Sequence, residues 1–289
     1  MALSVAQGFS TFLDGLVPLP SQRTAAARHR ASVEKSIRNA LPVTLFRETG
    51  SFAHGTGVRN HTDVDLLVSI SRARPESSDT ALSWVRTALR ESFPNTIVRT
   101  SRPAVVVEFD HGNETWEVIP GFITSRGPKD ISVYDIPGPS TGWIDSAPTA
   151  HLDYVSEVNA EPKISGGAKK LARLAKAWKY YNDVPISSFY LEMRAAKYLS
   201  GDSLFDPMVD MCLYLESLEE ISLASMNDPK RASGRFDACS TAPKIEETLS
   251  KLSTAATRVR KALDASNRGD AESAFHYLGL LFGGNFPAR

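Results

Sequence analysis

The sequence predicts an α+β fold in two lobes, from three observations. Residues 43–120 alternate short β-branched and aromatic stretches with a single helical pattern. Residues 127–148 are crowded with glycine and proline, and read as a connection. After Pro148 the chain is almost purely helical in character. The lobes are therefore expected at 1–148 and 149–289, with ligands in the cleft between them. At 289 residues, 42% of them hydrophobic, the chain is long enough to bury a core in each.

Residues 21–41 contain neither Gly nor Pro and are rich in helix formers, which predicts a long helix. VTLFRET (43–49) reads as a strand ending at Gly50, and DVDLLVSI (63–70) as a strand that continues into the core. Residues 77–93 carry apolar positions at three-four spacing and predict a helix. NTIVRT, AVVVEF and TWEVIP, spread over 96–120, predict three strands, the last two joined by a turn at 110–113. Helices are expected at 149–161, 165–182, 187–199, 207–226, 244–267 and 270–282, with a loop at 232–243.

Composition narrows the function classes. The 33 basic and 33 acidic residues cancel, so no general field draws in long nucleic acid. The first twenty residues lack a basic start and are interrupted by Asp14, unlike a signal peptide. No apolar run approaches the length needed to span a membrane. Cys212 and Cys239 are too few for a disulfide framework and show no ligand spacing. A cytoplasmic location without membrane partners is the expectation.

The chemistry-bearing pattern is TGSFAHGTGVRNHTDVDLLVSI (49–70). On a strand, Val64, Leu66 and Val68 face one way while Asp63 and Asp65 face the other, about 6–7 Å apart. Two such carboxylates repel unless a cation lies between them. Divalent metal ions completed by phosphate oxygens would reverse that cost; a solvated strand end is the alternative. The preceding Gly50 and Ser51 permit close backbone approach and can grip phosphate. Glu117 alternates onto the face opposite Trp116 and Val118, which makes it the candidate third carboxylate, with Glu108 as its rival.

In the helix 165–182, Ala168, Leu171, Ala172, Ala175 and Trp178 form an apolar stripe. Lys179 falls within the stripe and Lys176 at its edge, so each needs an anion or an escape to solvent. Ser187 and Ser188 precede the next helix, where a serine caps the backbone and can also meet a phosphate.

These residues carry a resemblance. Gly50-Ser51, Asp63-Val64-Asp65 and the single carboxylate before VIPGF resemble the DNA polymerase β-type nucleotidyltransferase superfamily, and more closely the bacterial cGAS/DncV-like nucleotidyltransferases. YDIPGPSTGWIDSAPTAHLDYV (134–155), GGAKKLARLAKAWKYYNDVPISSFYLEM (166–193) and, more loosely, NDPKRASGRFD (227–237) are similar to family segments in the same order. The resemblance implies a nucleotidyltransferase-fold first lobe and a Mg2+-dependent enzyme (two ions, Mn2+ an admissible substitute). It implies nucleoside triphosphate substrates, ATP or GTP among them, made into cyclic oligonucleotide signals of anti-phage defence. Asp63, Asp65 and Glu117 would be the catalytic metal ligands. Gly50, Ser51, Lys176 and Ser188 would hold the donor triphosphate, with Lys179 as helper and Phe189 stacking on a base. A regulatory protein partner is left open. Glu117 departs from the Asp of many relatives, and Phe189 from their Tyr. A nucleotidyltransferase with an RNA, drug or protein acceptor is the first alternative, and a silent nucleotide-binding regulator the second.

Overall fold

A computed structural model describes residues 2–61, 63–112, 114–201 and 204–289. The chain opens with α1 (Val5–Leu16), whose first turn is closed by a reciprocal capping box between Ser4 and Gln7. There follow α2 (Pro20–Ala40), β1 (Val43–Thr49), the short α3 (Gly50–His54), β2 (Val64–Ile70) and α4 (Ser78–Ser92). Next come β3 (Ile97–Ser101), β4 (Ala104–Phe109) and β5 (Glu114–Ile123). The predicted turn between the last two is a tight 3-10 turn at Asp110–Gly112, with Asn113 outside the described residues.

The main sheet runs in the order β1-β2-β5-β4-β3, with β2 and β5 parallel and its other pairs antiparallel. One face is covered by α2 and α4. Val64, Leu66 and Val68 of β2 and Trp116 and Val118 of β5 pack there against Val33 and Ile37 of α2 and Leu82, Val85 and Leu89 of α4. The alternation read from the sequence therefore holds on both strands. The two helices are also joined by the Ser36 hydroxyl, which donates to the Ala88 carbonyl at 2.9 Å.

The stretch 127–148 differs from its prediction as a connection. It folds into β6 (Tyr134–Pro137) and β7 (Trp143–Ser146), an antiparallel pair that extends the sheet from β5. Pro137, Gly138, Pro139 and Gly142 sit at the strand end and turn of this short edge hairpin, where a missing N–H costs little. Arg126, paired with both Asp135 and Asp145, staples the hairpin to the end of β5.

The helices α5 (Pro148–Ala160), α6 (Gly167–Tyr181), α7 (Ser188–Leu199), α8 (Pro207–Glu220), α9 (Ala242–Asn267) and α10 (Ala271–Leu281) follow close to expectation. α8 stops six residues short of its predicted end, because the chain turns through positive φ at Ser222 and Leu223. The helical core also takes Phe9, Phe12, Leu13 and Leu16 from α1, so the first helix of the chain packs against the last half of it. Among the described residues no helix is long and apolar enough to cross a membrane.

Candidate active site

Residues opposite one another in a sheet project from the same face. In this sheet Thr49 lies opposite Asp65, Asp65 opposite Glu117, Glu117 opposite Val106, and Val106 opposite Arg99. One row across four neighbouring strands and the edge thus sets Asp65 and Glu117 side by side on the face away from α2 and α4. Asp63 stands immediately before β2, at the open mouth of the same face. Glu108, the rival third carboxylate, sits one strand further over and is held by Arg99 at 2.9 Å. The sheet register brings Glu117, not Glu108, to the aspartates.

Gly50 fixes how close the preceding loop can come. Its φ is +63°, and a Cβ built on it would fall 1.8 Å from a carboxylate oxygen of Asp65. Only glycine tolerates both conditions. Beside it Ser51 is half-buried in the first turn of α3.

At all three acids burial, joined at Asp65 and Glu117 by mutual repulsion, outweighs the nearby cations. Burial, then the Glu117 charge, push the Asp65 carboxyl well above its usual range. Burial and the Asp63 charge raise Glu117. Asp63 is open to solvent, yet the protein mass around it raises its carboxyl, against the pull of Arg99, His61 and Lys179. Among the described residues, no lysine, arginine or histidine forms an ion pair with any of the three. Among the described residues no three acidic, histidine or cysteine side chains are by themselves gathered into a group that could hold a metal ion. An open, all-oxygen set with unbalanced charge fits a hard divalent cation whose remaining positions are filled by substrate phosphate and water.

The opposite wall is built by α6 and α7. Lys179 donates to the Ser188 hydroxyl at 2.6 Å, and the Tyr180 hydroxyl lies 3.2 Å from the same oxygen. Burial and the neighbouring charge of Lys176 lower the Lys179 amine to about 8, although Asp63 pulls the other way. His61, from the loop leading into the acidic strand, stacks on the Tyr180 ring at 4.7 Å between centroids. Ser187, as expected, caps α7 by accepting from the Tyr190 amide at 3.2 Å.

Lys176 lies deeper than its place at the edge of the stripe suggested. Expected at the edge of the apolar stripe and on the donor triphosphate, it is 1% exposed and ion-paired with Glu192 of α7. The buried anion it needed is supplied by the protein itself, and Lys179 is the lysine left at the cleft. Phe189, the expected base platform, is half-buried and packs edge-on against Phe236 at 4.8 Å and near His151 at 5.2 Å. His151 in turn contacts Asp228 of the Asp-Pro loop at 3.2 Å, and that carboxylate gathers the amides of Lys230, Ala232 and Ser233.

Sequence reasoning passed over Arg99, His61, Tyr180, Thr56 and Glu192, and weighed but discounted His54. Only Tyr180 carried a local signal, as the residue after Lys179 in the WKYY run. The others depend on pairings across more than a hundred residues or across strands.

With this geometry in view, three comparisons agree. Residues 3–159 match the family model of the Second Messenger Oligonucleotide or Dinucleotide Synthetase domain, SMODS. The chain is 20% identical to a probable cyclic nucleotide synthase of Bacillus cereus (strain VD146), over 100% of this chain and 99% of that protein. It is 27% identical to a cyclic AMP-AMP-AMP synthase of Escherichia coli (strain MS 115-1), over 59% of this chain and 53% of that one. The solved structure of E. coli MS115-1 CdnC with ATP superposes with a TM-score of 0.77 at 19% identity, covering 98% of this chain and 99% of that one. The fold is that of the nucleotidyltransferases, and the chain belongs to the family of second messenger oligonucleotide or dinucleotide synthetases.

Proposed function

We propose that this chain is a Mg2+-dependent nucleotidyltransferase that condenses nucleoside triphosphates, ATP and GTP among them, into a cyclic di- or trinucleotide with release of pyrophosphate. The observation that carries the reading is the register pair Asp65–Glu117 with Asp63 at its mouth, facing Lys179 and Ser188.

A ribose hydroxyl gives up its proton, its oxygen bonds to the donor α-phosphorus, and the bond to pyrophosphate breaks. Two divalent cations held by Asp63, Asp65 and Glu117 would lower the pKa of that hydroxyl and neutralise charge on the leaving group. Gly50 lets the loop approach Asp65, so Ser51 is carried beside the acids to bind the triphosphate. Lys179 and Ser188 grip the same triphosphate from the helical side, with the Tyr180 hydroxyl beside them. The exposed part of the Phe189 ring offers a stacking surface to a base. Holding donor and acceptor in line is most of what phosphoryl transfer asks of the protein. A last turn of the same reaction, in which the ribose hydroxyl of the linear intermediate attacks that intermediate's own triphosphate, closes the ring.

The test uses the purified chain with Mg2+ and all four labelled nucleoside triphosphates, followed by phosphatase and separation of the products. Phosphatase-resistant label that disappears in Asp63→Asn is the expected result, and its mobility tells two nucleotides from three. Label found only on added RNA, protein or drug would replace this reading with transfer to an external acceptor. Tight nucleotide binding without pyrophosphate release would replace it with a regulator.

A further inference from the structure

β2 and β5 run parallel, so their carboxyl ends open at the same end of the sheet. In open sheets that end is where a crevice forms between the loops. A cavity of about 520 Å3 lies there, lined by Ile70 and the loop 71–74 after β2, by Phe122, Ile123 and the segment 124–126 at the end of β5, and by Asp135 of β6. The three acids of the cleft stand at the opposite ends of the same strands: Ile70 follows Asp65 by five residues, about 16 Å along β2. Three arginines reach the cavity. Arg126 pairs with Asp135 and Asp145, and Arg74 Nε lies 3.2 Å from the other oxygen of Asp135. Arg72 forms no ion pair among the described residues. Three guanidinium groups thus meet two carboxylates, and positive charge is left over. Two of the three are laid on indoles: Arg72 Cζ is 5.6 Å from the centre of the Trp84 ring, and Arg74 Cζ 5.1 Å from that of Trp143. Trp143 is itself fixed, edge-on to Phe122 at 5.3 Å and donating from Nε1 to the Glu76 carbonyl at 3.1 Å. Ser71 anchors the other end of the loop, its amide and hydroxyl donating to the Pro42 carbonyl at 2.8 and 3.1 Å.

We propose that this cavity is a second nucleotide site, separate from the cleft, which takes a phosphate group on Arg72 and Arg74 and a base against Ile70, Phe122 and Ile123. Stacking on an indole fixes the plane of a guanidinium and leaves its in-plane N–H groups free, which suits the paired oxygens of a phosphate. The leftover positive charge turns cations away and favours an anion. Asp135 does not cancel it, because that carboxylate is buried and already holds Arg74 and Arg126 on its two oxygens. The apolar wall selects among anions. Ile123 is 57% exposed at the lip and Phe122 closes the floor, so a phosphate that carries a flat ring gains contact that inorganic phosphate does not. A cavity of this size falls in the range of small-molecule sites. Two molecules of this chemistry accompany the proposed reaction, the nucleoside triphosphate substrate and the cyclic product. The choice of probes rests on that reading; the site itself rests on the arginines and the apolar wall.

The test measures binding by calorimetry without divalent metal, using ATP and cyclic di-AMP as probes and adenosine as the control that lacks phosphate. Without metal the three acids repel a triphosphate, so the cleft contributes least. The expected result is binding of at least one probe that weakens with added salt and exceeds that of adenosine. In Arg72→Ala the affinity is expected to fall at least about tenfold, the size of one lost charge-assisted hydrogen bond. In Lys179→Ala, altered only in the cleft, it is expected to stay at the wild-type value. Tighter binding of ATP would make the substrate the occupant, and tighter binding of cyclic di-AMP the product. Four results would overturn the site: no binding of either probe up to about 1 mM, equal affinity in wild type and Arg72→Ala, loss in Lys179→Ala, or adenosine binding as well as the probes. Thermal unfolding checks that each variant is folded. If Arg72→Ala does not fold, Ile123→Asp, which sets a negative charge at the lip, decides by the same readings. Absence of cyclic product from the wild-type protein would overturn the synthase reading instead, and the probe affinities would still decide this site.

Discussion

Asp65 is the residue on which the site's electrostatics turn. Its carboxyl is raised by burial and by Glu117, so the ionised form is disfavoured in the folded chain. An acid whose folded pKa is raised adds stability at low pH, and that stability is lost as pH climbs through the raised value. At neutral pH without divalent metal, Asp65→Asn is therefore expected to melt about 2–4 °C higher, for roughly 1 kcal/mol of relieved repulsion. It should also be inactive and gain less from added Mg2+ than the wild type; a lower melting temperature would refute the origin assigned to the shift. Gly50 is the second pivotal residue. A methyl group there would overlap the Asp65 carboxylate and force a positive φ on alanine. Gly50→Ala is expected to fold and to lose at least about 100-fold in kcat, since a displacement of about 1 Å costs that much. Near-normal turnover would show that the loop does not fix Asp65.

At the scale of elements, α6 does two jobs with one helical face. Arg173, Lys176 and Lys179 follow at three-residue intervals, so they lie along one side of the helix. The first two hold the loop at 55–57 through its carbonyls and the Thr56 hydroxyl, and the third meets Ser188 at the cleft. Lys179 sits at about 8 because burial and Lys176 disfavour its proton. A bound triphosphate favours the protonated amine, so nucleotide affinity should fall as pH rises past about 8. The decline can reach tenfold per pH unit once the free amine predominates. In Lys179→Arg that decline should vanish, because guanidinium keeps its proton throughout. Identical pH profiles for wild type and variant would mean that Lys179 does not contact the phosphates.

The whole molecule is tied together by its ends. α1 lies at the start of the chain but packs in the helical core, where Phe12 stands 4.5 Å from Phe282 and 5.2 Å from Phe286 between ring centroids. Phe12→Ala is expected to cost about 3–5 kcal/mol in denaturant unfolding, the range for removing a buried aromatic. A loss below about 1 kcal/mol would show that α1 only rests on the surface.

The sequence alone determined the features that repeat locally. Strand alternation placed Asp63 and Asp65 opposite Val64 and Leu66, and helical spacing set the bounds of α5, α6 and α7 to within about two residues. Those patterns are legible because each depends on neighbours two to four positions away. The capping box at Ser4 and Gln7 is equally local, yet the sequence reading passed over it and with it α1. Tertiary structure decided the rest. Which acid stands beside Asp65 is fixed by the register of β5 on β2, not by spacing along either strand. Which lysine faces the cleft depends on Glu192, thirteen residues past Lys179, arriving on a neighbouring helix to neutralise Lys176 instead. A charge reveals its role only when its partner is known, and here the partners come together through folding.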